Sequence, residues 1–203
     1  MLVECGAASG ACGPQGIAMT NQERIAEQVD IARRLKDEGN DLLRSGDLQK
    51  AAAKYSKMFL YIRGFDYTKT AAAMLPDQPA PAAPDDNMQR EIDGLIRSAN
   101  LNLSFCYLKL NEPDKAKKFA TAVLDRDASN VKALFRRGCA YEMLGELGAA
   151  EEDWKRAHEL QPSDRAIVEK MKLCRQRDAA QMAETKKRMA GMFDRAAKSA
   201  KST

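Results

Sequence analysis

LNLSFCYLKLNEPDKA, residues 101–116, carries the mark of a repeat: its Ser104, Tyr107 and Ala116 return 34 residues later as Gly138, Tyr141 and Ala150. A small residue, an aromatic one turn on and an alanine beyond a turn suit two antiparallel helices in close contact. The small residues let the backbones approach, and the aromatic fills the space between them. A period of this length is one helix-turn-helix unit, too small to bury its own apolar face, so several must stack. The chain is therefore read as all-α, a solenoid of helical hairpins.

Working outward, the same frame places a third unit at about 131–164, where Gly138, Tyr141, Ala150, Trp154, Ala157 and Pro162 all fit. The second spans about 97–130 and turns at Asn111-Glu112-Pro113. Aligning Gly39 with Ser104 sets the first at about 32–65, with Ala51 and Tyr55 at the small and aromatic positions of its second helix. Thr20 and Glu23 form a capping-box pattern that starts a helix at Asn21. Ser45-Gly46-Asp47 stops it after Arg44. Gly39 and Ser104 are 65 residues apart, so an insertion of 31 separates the first two units, placed at about 66–90. Pro76, Pro79, Pro81 and Pro84 keep that stretch from continuing a helix. The repeat domain thus covers 20–164, with the helix before the insertion running on to Ile62. Residues 1–19 are Gly/Ala/Cys-rich, without periodicity, and read as disordered.

A stack of hairpins needs a closing helix with a polar outer side, and residues 165–203 supply one. Ile167, Met171 and Cys174 follow helical spacing, and Met182, Met189 and Phe193 extend the stripe into a half expected to project into solvent. Eleven Lys/Arg against four Asp/Glu put +7 on this tail, while the whole chain carries only +4. Nucleic-acid or anionic-lipid binding would have to reside there, and a solvated helix face is the plainer reading.

Composition excludes much else. With 203 residues and 44% apolar content the chain holds one domain and a tail. No window approaches about 18 apolar residues, so no membrane insertion is expected. Five cysteines without a CxxC pair, and no signal peptide at the start, point to a reducing, cytoplasmic setting and to no bound metal. No glycine-rich phosphate loop occurs, and no cofactor is expected. The sole histidine, His158, has no nucleophile placed beside it by the repeat frame, so the chain is not expected to be an enzyme.

Five polar residues fall on first helices of the units, at groove-lining positions: Lys36, Asn40, Asn102, Lys132 and Arg136. The i, i+4 spacing of Lys36/Asn40 and of Lys132/Arg136 puts each pair on one face. Asn102 lies mid-helix, where asparagine is a mediocre helix former, so something besides propensity selects it. Three cations and two amides with no carboxylate repel cations and offer many donors to anions. A polypeptide terminus ending in Asp, with two carboxylates a few ångströms apart, is the ligand such a set suits.

This pattern, Lys-x3-Asn, then Asn, then Lys-x3-Arg, resembles the two-carboxylate clamp of tetratricopeptide-repeat (TPR) co-chaperones. LNLSFCYLKLNEPDKA, VKALFRRG (131–138) and MFDR (192–195) are similar to the TPR region of large FKBP-type immunophilins over about residues 22–196. FLYIRGFD (59–66) with its proline-rich insertion is more like the tetratricopeptide repeat protein nine group. The resemblance implies three repeats plus a capping helix. It also implies a binding site for the C-terminal EEVD tail of heat-shock protein 90 or 70 chaperones. By the same resemblance, Lys36, Asn40 and Asn102 hold the terminal carboxylate, and Lys132 and Arg136 serve the Asp side chain and the peptide backbone. Repeats beginning near residue 32 leave no room for an isomerase domain of roughly a hundred residues. The basic, methionine-containing tail also has the composition of a calmodulin-target helix, which the resemblance makes a second candidate partner site.

Overall fold

Each hairpin turns on one residue of left-handed backbone: Gly46 (φ 85°), Asn111 (φ 60°) and Gly145 (φ 80°). The three are equivalent in the repeat frame, and so are the hydrogen bonds that close the turns. Asp47, Glu112 and Glu146 each donate a backbone N–H to the carbonyl five residues earlier, on Leu42, Tyr107 and Tyr141, all at 2.9 Å. This geometry caps a helix C-terminus and reverses the chain within three residues. Asparagine tolerates the conformation that glycine adopts freely, which is why the second repeat manages without a glycine. Gly145→Ala is expected to lower stability by about 1–2 kcal/mol, read from the urea midpoint, whereas Gly94→Ala in an exposed helix interior should raise it.

These turns sit in a computed structural model that describes residues 20–62 and 84–200. Among the described residues there are seven helices and no strand. Helices α1 (Asn21–Arg44) and α2 (Leu48–Ile62) form the first hairpin, α3 (Asp86–Lys109) and α4 (Pro113–Leu124) the second, and α5 (Val131–Leu144) and α6 (Leu147–Leu160) the third. Helix α7 (Arg165–Ala200) closes the stack. The expected architecture of three helical hairpins and a long terminal helix is the one observed. The segments 1–19 and 66–83, read from sequence as disordered and as insertion, lie outside the described residues.

Within the hairpins, small and large residues exchange roles sixteen positions apart. A methyl group on Gly39 would meet Tyr55 Cε1 at 2.7 Å, and one on Gly138 would meet Trp154 Cδ1 at 2.8 Å. Contacts this short are repulsive, so both glycines are required by the aromatic ring stacked over them. At the equivalent pair in the second hairpin, Ser104 and Ala120, both fully buried, the bulk is shared differently. Ser104 Oγ donates to the Leu101 carbonyl at 2.7 Å, which satisfies the buried hydroxyl within its own helix.

The proline-rich insertion is shorter at its end than the sequence suggests. Helix α3 begins at Asp86, so residues 86–90, assigned above to the insertion, are helical. Asp85 caps it, accepting from the Met88 N–H at 2.7 Å. Both α1 and α3 start about three turns before the repeat frame, and their extensions bury each other. Ile25 and Val29 of one, with Ile92, Leu95 and Ile96 of the other, belong to a single core cluster. Burial of each such side chain contributes about 1.5–3 kcal/mol, which is ample reason for the helix to reach back toward the prolines. Arg33 clasps Glu91 with two hydrogen bonds across the seam.

Helix α7 divides as expected. Ile167 and Cys174 are buried against α5 and α6. Glu142, on α5, takes Lys170 Nζ at 2.6 Å and Arg177 Nη1 at 2.7 Å, tying the helix down. Beyond that, Met182, Met189 and Met192 are more than half or about half exposed, at 69%, 50% and 57%.

Candidate functional site

Stacking the hairpins in parallel brings α1, α3 and α5 side by side, and the five polar residues singled out above sit on these three helices. Lys36 and Asn40 are half-buried on successive turns of α1, and Asn102 is half-buried midway along α3. Lys132 is exposed in the first turn of α5, and Arg136 follows one turn later, half-buried. The N-terminus of α5 is fixed by Asn130, whose side chain accepts from the Ala133 N–H at 3.1 Å.

Two of the amides are joined directly. Asn102 Nδ2 donates to Asn40 Oδ1 at 3.2 Å, and Tyr55 Oη donates to the same oxygen at 2.8 Å. With its carbonyl taken twice, Asn40 is oriented and keeps its NH2 for another acceptor. Tyr55 is fully buried, and burial pushes its hydroxyl pKa up to about 12, so it remains a donor. The sequence reading cast Tyr55 only as a packing aromatic. Its second task follows from its height over Gly39, which no pattern of residue types reveals.

Neighbouring arginines on α5 are used in opposite ways. Arg137 makes a forked pair with Asp153 of α6, 2.7 Å at both nitrogens, in a site where the carboxylate is only 6% exposed. That pair holds the third hairpin together. Arg136 has no carboxylate partner among the described residues. Its guanidinium donates to the Leu101 carbonyl and lies 5.3 Å from the centre of the Phe105 ring. Burial pulls its pKa down from the usual value, the signature of a cation partly stripped of water without a compensating anion.

Asn102, Lys132 and Arg136 converge on a cavity of about 270 Å³, completed by Gly94, Arg97, Ser98 and Leu101. Among the described residues, no Asp or Glu lines it. On its far side Lys132 and Arg136 also border an apolar hollow of about 540 Å³, walled by Phe105, Leu108, Val131, Phe135 and Met143. Cys139 is part of that wall, and burial pushes its thiol up to about 11, so it stays protonated and inert at neutral pH. Lys36 stands apart from the cavity. Its charge helps Arg33 hold the Glu91 carboxyl below the usual range, and it reaches the site only through its place one turn from Asn40. Arg97, which no sequence pattern singled out, is the additional cation.

No helix among the described residues is long and apolar enough to cross a membrane. The tetratricopeptide repeat family matches residues 131–164 and, separately, 98–130. Among curated proteins, outer envelope protein 61 of Arabidopsis thaliana is 32% identical over 76% of this chain and 24% of its own length. Peptidyl-prolyl cis-trans isomerase FKBP4 of Mus musculus is 28% identical over 85% of this chain and 34% of its own. The chain thus spans about a quarter to a third of the length of these relatives. Among solved structures, the C-terminal TPR-containing domain of a Plasmodium falciparum FK506-binding protein superposes with a TM-score of 0.63 at 26% identity, covering 84% of this chain and 97% of that one. The myosin chaperone UNC-45 from C. elegans, solved in complex with an Hsp90 peptide, gives 0.57 at 27% identity, covering 77% of this chain and 14% of that one. Residues 98–164 thus carry two tetratricopeptide repeats, and over most of its length the chain is similar to the FKBP4-type immunophilins.

Proposed function

We propose that this protein is a non-enzymatic, cytoplasmic adaptor that binds the acidic C-terminal peptide of heat-shock protein 90 or 70 chaperones through Lys36, Asn40, Asn102, Lys132 and Arg136. The observation that carries the reading is Arg136: a half-buried guanidinium that, among the described residues, has no carboxylate partner and faces a cavity lined by no acidic side chain. Leaving such a cation desolvated and unpaired costs stability in the free protein. Supply of the missing anion by a ligand explains why it is kept. Asn40 and Asn102 donate to a carboxylate without adding repulsion among the cations, and Lys132 contributes charge at the exposed rim. The adjoining apolar hollow suits the aliphatic part of the same peptide. UNC-45, whose repeats resemble these, was solved with an Hsp90 peptide, which supports the same ligand class here.

A short flexible tail held by a few charge-assisted bonds is expected to bind at about micromolar Kd, or roughly −8 kcal/mol. Titration of a fluorescent pentapeptide ending in Glu-Glu-Val-Asp tests it. Affinity should fall steeply between about 50 and 300 mM salt, and amidation of the terminal carboxyl should abolish binding. Equal affinity for the free-acid and amidated peptides, or no binding at about 100 μM protein, removes the proposal.

A further inference from the structure

Arg97 and its neighbours do not belong to the five-residue set, yet they complete the cavity onto which Asn102, Lys132 and Arg136 open. Gly94, Arg97, Ser98, Leu101 and Asn102 line it at i, i+3, i+4, i+7 and i+8, a single stripe along α3. Arg97 is exposed and has no ion pair among the described residues. Its influence on Asp127 is minor, since that carboxyl is held down first by Asn130 and Ser129. Gly94 is the second observation. A methyl group there would meet nothing within 4 Å, so among the described residues no packing partner requires this glycine. An exposed glycine inside a helix costs about 1 kcal/mol relative to alanine, and what its bare backbone provides is room beside Arg97 for something outside the chain.

We infer that Gly94, Arg97 and Ser98 form a second carboxylate subsite, which reads the acidic side chain two residues before the terminal Asp of the bound peptide. This rests on the peptide-binding reading above and adds a specificity-determining residue to it. The spacing fits. Ser98 and Asn102 are one turn apart on one face of α3, about 6 Å of rise, and Arg97 lines the same cavity from beside Ser98. In an extended peptide, side chains two residues apart lie on the same side at about 7 Å. A peptide whose last residue is held at Asn102, Lys132 and Arg136 and which runs along this face brings its acidic residue two places upstream to Ser98, within reach of the long Arg97 side chain, while the residue between them points away from α3.

The test is a double-mutant cycle with two pentapeptides, one ending in Glu-Glu-Val-Asp and one ending in Glu-Gln-Val-Asp, against wild type and Arg97→Ala. Because Arg97 is exposed, its replacement should leave the thermal midpoint unchanged. Arg97→Ala is expected to weaken the first peptide about fivefold and the second less than twofold, and Arg97→Lys should restore part of the difference. Gly94→Val, which fills the space, should weaken the first peptide as well. Equal weakening of both peptides by Arg97→Ala marks a general charge effect and overturns the subsite, as does no weakening of either. In both cases the clamp stands as long as Arg136→Ala weakens binding by roughly 30-fold or more. Absence of wild-type binding to either peptide removes the clamp and the subsite together.

Discussion

Arg136→Ala is expected to weaken binding of the Glu-Glu-Val-Asp peptide by about 2–5 kcal/mol, which is a loss of roughly 30-fold to several thousand-fold. The size follows from where the guanidinium sits. It is half-buried, anchored to the Leu101 carbonyl and stacked near the Phe105 ring, so its direction is set before any ligand arrives. A preorganised, partly desolvated donor fork loses little freedom on meeting a carboxylate, and each charge-assisted bond it makes is among the stronger kinds. Arg136→Lys keeps the charge but forfeits the fork and the ring contact, and should recover only part of the loss. Folding stability should respond differently. The unpaired cation is a burden on the free protein, so the alanine variant should keep its urea midpoint within about 1 kcal/mol of wild type or exceed it. A stability loss as large as the binding loss would mean that Arg136 is a structural residue, and calorimetric titration beside chemical denaturation separates the two.

That contrast between Arg136 and Arg137 shows how far residue types alone reach. Both are arginines in the same helical turn; the repeat frame assigned Arg136 to the groove by its phase along the helix, and Arg136 lines a cavity with Asn102 and Lys132. Phase did not say that Arg137 would be tied to Asp153, since that pairing depends on how α6 crosses α5. The hairpin turns were legible at Gly46 and at Asn111-Glu112-Pro113 from local chemistry. The start of α3 was not, because the prolines before it drew the boundary too late. Their influence stops at Pro84; the Asp85 cap and the 3.6-residue spacing of Ile92, Leu95, Ile96 and Ala99 govern from there on. Arg97 escaped notice for a related reason. It lies before the repeat frame tightens, and only the opening beside Gly94 makes it part of the cavity. The Tyr55–Asn40 bond needed the distance between two helices, which spacing within either one does not contain.

Trp154→Ala is expected to destabilise the protein by about 3–5 kcal/mol, the cost of emptying a large buried site that cannot close over the void. Trp154 is fully buried, its indole lies against the bare backbone of Gly138, and its Nε1 donates to the Phe135 carbonyl at 3.2 Å. Collapse of α5 toward α6 is opposed by the Arg137–Asp153 pair, which fixes their separation, so a cavity should persist. Phe135 and Gly138 flank Arg136 and Arg137 on the same helix, and loosening this seam frees the turn that aims the Arg136 guanidinium. Peptide affinity should therefore fall in Trp154→Ala even under conditions where the protein stays folded. Trp154→Phe fills most of the volume but cannot donate to the carbonyl, and is expected to lose about 1–2 kcal/mol. Denaturation of both variants, paired with peptide titration, checks the link. Full affinity in a Trp154→Ala protein that has lost several kcal/mol would show that α5 holds its site without support from α6.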